Sequence, residues 1–282
     1  MIRISTGGMA AKSAYDACKY LIKNGFHDIE LSGGIYVEDH LQLLMSLNSK
    51  ANLSCHNYFP PPRTPFVLNL ASLDQEVLDK SLNHVKQAID YSCALNSDTY
   101  SVHAGFLVDP SYRELGRSIS TQPLYPQEQA LDTFLNSLRH ISDYANSKNV
   151  RILVENNVLS KNNFLKFQAN PFLMAKLDEC IHVMTHTPDN ISMLVDVAHL
   201  KVSASTLNFC PIDFLERLSG HIHGYHLSDN DGLSDSNEPF ETCSWFWPHL
   251  IKSLNYYTIE VYDYDSVVLE SQLSVARSFL LQ

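Results

Sequence analysis

The hydrophobic pattern of the chain alternates between short apolar runs and longer amphipathic stretches. The short runs are typical of buried strands, and they fall at residues 2–5, 28–31, 53–56, 99–103, 151–155, 192–196, 222–228 and 257–261. Apolar residues at helical spacing lie between them, at residues 13–24, 40–47, 74–95, 127–147, 171–180, 213–218, 245–254 and 266–281. This alternation predicts parallel strands joined by crossover helices.

Eight strand signals alternate with helix signals, and no change in composition marks a domain boundary. The sequence therefore predicts an α/β fold, a single (β/α)8 TIM barrel that occupies residues 1–282 as one domain. In such barrels the active site lies at the carboxyl ends of the strands. Residues 104–126 form a long connection with Gly and Pro, which predicts either a cover for the active site or an arm that contacts another subunit.

The fifth to eighth predicted strands each end on a side chain that can bind a metal ion. These residues are Glu155, Asp196, His226 and Glu260. One carboxylate at a strand end is commonly a helix cap or a surface charge. The interpretation therefore depends on finding a ligand-type residue at the ends of all four strands. Two Glu, one Asp and one His suit one divalent ion (Mn²⁺, Mg²⁺, Co²⁺ or Zn²⁺) with positions left for substrate oxygens.

The alternation of side chains along a strand tests this interpretation. If Glu155 and Asp196 point into the barrel, then Leu153 and Leu194 do so too. The residues between them must then face the helices, and they are apolar: Ile152, Val154, Met193, Val195, Ile259 and Val261.

Four further polar residues are predicted to contact the substrate. His56 and His103 end the third and fourth strands, His199 follows Asp196, and Asp229 lies in the loop after the seventh strand. For His56 and His103 the alternative is a hydrogen-bonded histidine at the barrel rim.

Composition and charge limit which partners and which cellular location we expect. The formal charge of −11 argues against a nucleic acid partner, which usually needs a basic stripe. The six cysteines are scattered without a Cys-x-x-Cys motif, and the N-terminus has no apolar signal core, so we expect reduced thiols in a cytoplasmic protein. No apolar run is long enough to span a membrane.

The order of seven short motifs resembles the xylose-isomerase-like barrel superfamily, which includes sugar isomerases and epimerases, inosose dehydratases and endonuclease IV. The resemblance covers nearly the whole chain. The motifs are residues 56–62 (HNYFPPP), 69–72 (NLAS), 101–105 (SVHAG), 153–156 (LVEN), 196–199 (DVAH), 226–232 (HLSDNDG) and 258–261 (TIEV).

In the ketose epimerase branch, the residues at the ends of strands five to eight hold one metal ion. The resemblance assigns this role to Glu155, Asp196, His226 and Glu260. The two glutamates of that branch also remove and return a proton on opposite faces of the carbon next to the carbonyl. The resemblance thus implies a metal-dependent sugar or sugar-phosphate isomerase or epimerase, with a metal-stabilised enediolate and with Glu155 and Glu260 as acid and base.

The sequence departs from the motifs of two branches of the superfamily, the epimerases and the endonucleases. Epimerases of this branch often carry an arginine shortly after the strand-seven histidine, and residues 228–232 contain none. The endonuclease branch binds three zinc ions and needs Asp-x-His where this chain has Asp235-Ser-Asn237. The alternatives are an inosose-dehydratase-like lyase, an abasic-site nuclease and a non-catalytic sugar-binding barrel. The expected partner is a sugar or polyol, and homo-oligomerisation stays open.

Overall fold

A closed barrel of parallel strands forms the centre of the protein. The computed structural model describes residues 1–114 and 118–281. In this part of the chain eight strands pair in sequence order, and the last closes on the first. The strands β1 to β8 are Ile2–Ser5, Asp28–Leu31, Asn52–His56, Thr99–His103, Arg151–Glu155, Ile191–Asp196, Ile222–Leu227 and Tyr256–Ile259. The predicted (β/α)8 barrel is confirmed.

Helices connect the strands and pack around the barrel. The helices α1 to α9 are Ala14–Lys23, His40–Met45, Gln75–Ala94, Gln127–Ser147, Lys161–Phe167, Leu177–Thr185, Val197–Leu207, Pro211–Leu218 and Ser266–Leu280. Side-chain caps begin several of them: Ser13 Oγ accepts the Asp16 N–H before α1, and Asp74 Oδ1 accepts the Glu76 N–H before α3. No helix in the described residues is both long and apolar enough to cross a membrane.

The two faces of the strands bury different sets of residues, as the alternation predicted. Leu153, Leu194 and Tyr256 form a small apolar cluster of their own inside the barrel. The outward residues belong to the main core between the strands and the helices: Ile152, Val154, Met193, Val195, Ile259 and Val261. The inward faces of β5 and β6 therefore lead up to Glu155 and Asp196.

Two helices were not predicted from the sequence. One is α5, and the other is α7, which begins directly after Asp196. Asp196 caps α7, because its Oδ1 accepts the N–H of His199 at 2.7 Å. This junction fixes Asp196 and His199 relative to each other.

The helix predicted at residues 245–254 is wrong. The structure has only a short 3₁₀ turn, Trp247–His249, and Leu250 is extended. Pro248 lies within this segment and cannot donate the backbone hydrogen bond that a continuing helix needs. The apolar residues serve tertiary packing instead, since Trp247 stacks on Phe279 of α9 with ring centroids 4.6 Å apart.

The helix predicted at residues 171–180 begins later than expected, at Leu177. Met174 has a positive φ of 56°, which ends any helical run across this region. Leu173 instead donates its N–H to the carbonyl of Gly105, so this stretch pairs with the connection after β4.

The described part of residues 104–126 is mostly irregular, with a 3₁₀ turn at Tyr112–Glu114, and positions 115–117 of the predicted cover lie outside the described residues. Val108 and Ile119 are buried in a small apolar cluster with Phe106 and Phe172. The segment is therefore anchored to the barrel on both sides of the undescribed positions.

Stability should depend on pH through His84, which α3 buries against the rings of Tyr58 and Phe66. Burial lowers the pKa of His84 from 6.5 to about 4. The unfolded chain therefore takes up a proton near pH 6.5, whereas the folded protein resists it until about pH 4, so stability falls as the pH drops through this window. We expect a loss of roughly 2–3 kcal/mol from this residue.

The replacement His84→Phe removes the titrating group and keeps an aromatic ring at this position. Urea unfolding of both proteins at several pH values between 4 and 7 measures the effect. The stability of the variant should fall less steeply as the pH is lowered. Parallel stability curves would show that His84 does not contribute.

Candidate active site

Four predicted ligands meet at the carboxyl end of the barrel. Glu155 and Asp196 end β5 and β6, His226 is the second-last residue of β7, and Glu260 follows β8. All four are buried, and they offer ligand atoms that lie within 4.8 Å of one another. Nδ1 of His226 lies 2.7 Å from Glu260 Oε2, 3.5 Å from Glu155 Oε1 and 4.0 Å from Asp196 Oδ2.

Four polar atoms of this group lack hydrogen-bond partners among the described residues. They are both carboxylate oxygens of Glu155, Oδ2 of Asp196 and Nδ1 of His226. The close approach of His226 Nδ1 to Glu260 Oε2 thus lacks hydrogen-bond geometry. Buried polar groups are normally satisfied. Unsatisfied oxygens and an imidazole nitrogen that face a common point suit a bound divalent cation.

The buried charged groups of the site shift one another's pKa values. Burial raises the pKa of Asp196 to about 7, and the charges of Glu155 and Glu260 act in the same direction, against His199. Burial alone would also raise the pKa of Glu155, but the neighbouring His103, His226 and His56 lower it well below its usual range. Three carboxylates crowded in a buried space therefore favour a cation among them.

His56 and His103 contact Oε2 of Glu155, whereas His226 lies nearest to Oε1. Their Nε2 atoms are 3.4 and 3.3 Å from Glu155 Oε2, and with it they form a second group that could hold a metal ion. His56 is buried, and its Nδ1 lies 2.9 Å from Ser101 Oγ. The side chain of His103 is 30% exposed, which makes it accessible to a molecule in the barrel mouth.

His199 connects the site to the loop after β7. Its Nδ1 lies 3.3 Å from Glu155 Oε1 and 3.0 Å from the carbonyl oxygen of Asn156. Its Nε2 lies 3.2 Å from Oδ2 of Asp235. Burial opposes the charged form, but Asp196 and Asp235 outweigh it and raise the pKa of His199 well above its usual range.

Asp229 is not part of this group. Its Oδ1 accepts a hydrogen bond from Lys201 Nζ at 2.6 Å, and its Oδ2 accepts one from Ser244 Oγ at 2.7 Å. Asp229 and Lys201 line a surface groove of about 570 Å³. Both carboxylate oxygens of Asp229 are thus engaged in the structure of the loop.

Glu30 of β2 is a residue of the site that the sequence analysis missed. Its side chain is completely buried, and its Oε2 lies 3.1 Å from Nε2 of His226. The same oxygen accepts hydrogen bonds from the hydroxyls of Tyr256 and Thr258. Burial alone would raise the pKa of Glu30, but His226, His56 and the Tyr256 hydrogen bond lower it to about 2.

Neighbouring residues hold the ligands in place. Asn156 makes reciprocal hydrogen bonds with the backbone of Asp196: its Nδ2 donates to the carbonyl, and its Oδ1 accepts the N–H. The Tyr262 hydroxyl donates to Glu260 Oε1 at 3.2 Å. A Cβ at Gly7 would lie 2.8 Å from that hydroxyl and 3.2 Å from Glu260 Oε1, so a larger residue at this position would have to displace the Tyr262 side chain.

Comparison with known protein families identifies the family of the chain. A model of the family described as xylose isomerase-like TIM barrel matches residues 18–264. The chain belongs to this family. The resemblance seen in the sequence motifs is thereby confirmed at the level of the family. No curated protein sequence matches the chain.

Several solved structures share the fold over almost their full length. A D-tagatose 3-epimerase-like protein superposes with a TM-score of 0.72 at 16% identity, over 98% of both chains. D-Psicose 3-epimerase from Clostridium cellulolyticum H10, with D-tagatose, gives 0.70 at 12% identity over 99% of both chains. The TTHB071 protein from Thermus thermophilus, soaked with ZnCl₂, gives 0.64 at 20% identity over 98% of both. At these identities the likeness establishes the fold.

Proposed function

We propose that the protein is a metal-dependent isomerase or epimerase of a sugar or a sugar-like polyol. The observation that carries the proposal is the pair Glu155 and Glu260, held with Asp196 and His226 in a buried group in which four ligand-type atoms lack hydrogen-bond partners among the described residues. The family match and the structural neighbours that are named as epimerases support the same reaction class.

The donor set fits a divalent metal ion, with Glu155, Asp196, His226 and Glu260 as its ligands. When bound, such an ion supplies a positive charge that polarises a substrate carbonyl and makes the neighbouring C–H bond more acidic. The remaining chemistry belongs to the side chains of the protein.

Glu155 and Glu260 are proposed as the acid and base. A carboxylate that contacts the carbon next to the carbonyl can remove its proton, and a second carboxylate can return one from the opposite face. Return to the same carbon inverts it, as in an epimerase, whereas return to the adjacent carbon gives an aldose–ketose isomerase. Burial of both residues excludes bulk water, which keeps the proton transfer selective.

His56, His103 and His199 are proposed to bind the substrate hydroxyls. Each has a ring nitrogen within 3.4 Å of Glu155, so a sugar bound beside that glutamate would lie within their reach. For Asp229, the proposed contact with the substrate is made by the loop that this residue supports. Its own carboxylate oxygens accept hydrogen bonds from Lys201 and Ser244.

The test is proton exchange in heavy water. Protein treated with chelator and reloaded with Mn²⁺ is incubated with D-tagatose, D-psicose and L-ribulose, the sugars after which structural neighbours are named. NMR should show loss of one C–H signal in at least one sugar, together with the epimer or isomer. A dehydrated product would select the lyase alternative. No exchange in any sugar by metal-loaded protein would contradict the proposal for these substrates.

A second candidate is phosphodiester hydrolysis by several metal ions. The observation in its favour is the second metal-competent group formed by His56, His103 and Glu155, together with the contact of His199 with Asp235. This function requires more than one zinc ion per chain and nicking of a duplex that carries an abasic site. The charge of −11 disfavours a polyanionic substrate.

A further inference from the structure

Glu30 lies behind His226, on the side of the ring that faces away from the other carboxylates. We propose that Glu30 is a positioning residue that holds His226 with Nε2 protonated and turned into the barrel. Nδ1 is then free to bind a divalent ion together with Glu155, Asp196 and Glu260. The inference rests on the proposed function for the presence of that ion.

The two ring nitrogens of His226 serve different carboxylates. Nε2 lies 3.1 Å from Glu30 Oε2, and Nδ1 lies 2.7 Å from Glu260 Oε2. Histidines that bind metals usually donate their other ring N–H to a carboxylate or carbonyl, and this contact selects the tautomer and fixes the ring. Glu30 stands where such a partner is needed.

Glu30 is itself held rigidly. Thr258 Oγ1 donates to its Oε2 at 3.0 Å, and the Tyr256 hydroxyl donates to the same atom. Its strand register places it beside Ser5 and Ser54, whose small side chains leave room for the carboxylate in the barrel interior. Because Glu30 cannot swing away from His226, it can define the position of the imidazole ring.

If Glu30 only packed in the barrel interior, its contacts in the structure would be the same. The two roles differ because only the positioning role depends on the negative charge of Glu30. Glu30→Gln keeps the size of the side chain and can still accept a hydrogen bond, but it removes the negative charge that favours the Nε2–H form. If the new amide turns its N–H₂ group toward Nε2, the proton is forced onto Nδ1, where it competes with a metal ion.

The experiment measures metal affinity rather than activity. Titration calorimetry of chelator-treated wild type, Glu30→Gln and Thr258→Val with Mn²⁺ gives the three dissociation constants. We expect Glu30→Gln to weaken binding by about 10–100-fold. Thr258→Val removes one of the two hydroxyl hydrogen bonds to Glu30 Oε2, but the Tyr256 hydroxyl still holds the carboxylate beside His226. This variant should therefore stay within about threefold of wild type. Urea unfolding of each variant reports any general loss of stability.

Equal affinity of wild type and Glu30→Gln would overturn the proposal, as would an equal loss in Thr258→Val, which would indicate packing. If wild type binds no ion, the proposed function is wrong, but the effect of Glu30 on the tautomer of His226 can still be measured. NMR of the ring nitrogens in metal-free protein should then show a protonated Nε2 on His226, with a downfield N–H resonance that moves in Glu30→Gln. An unchanged resonance would contradict the role of Glu30.

Discussion

Glu155→Gln and Glu260→Gln should each abolish exchange of the substrate C–H proton with solvent. Loss of a positioned acid or base typically costs about 10²–10⁴-fold in rate, and each of these residues is also a proposed metal ligand. Glutamine keeps the shape of the side chain but cannot accept a proton at neutral pH. The rate of deuterium incorporation at saturating metal and substrate measures the effect, because saturation separates proton transfer from weakened metal binding.

A matched control is Glu179→Gln on α6. Glu179 is partly buried and accepts hydrogen bonds from the Met174 N–H and from Gln127 Nε2, neither of which is a residue of the proposed metal site. Glutamine can accept the same hydrogen bonds, so this variant should exchange protons at the wild-type rate. Full exchange in both site variants would contradict the roles given to Glu155 and Glu260.

Divalent ions should raise the thermal stability of the wild type and should have much less effect on Asp196→Asn. An ion that binds only the folded state adds about 2.7 kcal/mol at a concentration 100 times its dissociation constant. Asparagine removes a charged ligand but can still cap α7, because its side-chain oxygen can accept the His199 N–H that Asp196 accepts at 2.7 Å. Without metal, the variant should be at least as stable as wild type, since one of three crowded buried carboxylates is gone.

Thermal melts of chelator-treated proteins with Mn²⁺, Mg²⁺, Co²⁺ and Zn²⁺ give this comparison. Asp196→Ala completes the series, because it removes both the ligand and the cap and should be less stable than Asp196→Asn without metal. An equal stabilisation of wild type and Asp196→Asn by the same ion would place the ion elsewhere in the protein.

The barrel and the central group could be predicted because both depend on simple periodicities. Strand side chains alternate, so Leu153 and Glu155 had to share a face, and Ile152 and Val154 the other. Parallel strands end at one rim, so side chains at successive strand ends meet there. The structure brings the four predicted ligands together within 4.8 Å.

The features that the sequence did not predict depend on tertiary contacts. Residues 245–254 have apolar spacing that resembles a helix, but Pro248 and the stacking of Trp247 on Phe279 decide their conformation. The substrate contact predicted for Asp229 stays a prediction, but the hydrogen bond from Lys201 of α7 to its carboxylate was not foreseen. Neither partner can be read from local sequence.

Glu30 had a signal that the sequence analysis did not use. It is a carboxylate between Ile29 and Leu31, both apolar, within a short buried strand. The alternation that faces those two residues toward the helices turns Glu30 into the barrel. Only the pairing with His226, 196 positions later in the chain, shows what the buried charge contacts.

The central claim is that Glu155, Asp196, His226 and Glu260 hold one metal ion. Elemental analysis of protein purified without chelator, wild type beside Glu260→Gln, tests it most directly. The account predicts about one divalent ion per wild-type chain and clearly less in the variant. No ion in the wild type, even after addition of Mn²⁺ or Zn²⁺, would contradict it, and about three zinc ions per chain would favour the hydrolase instead.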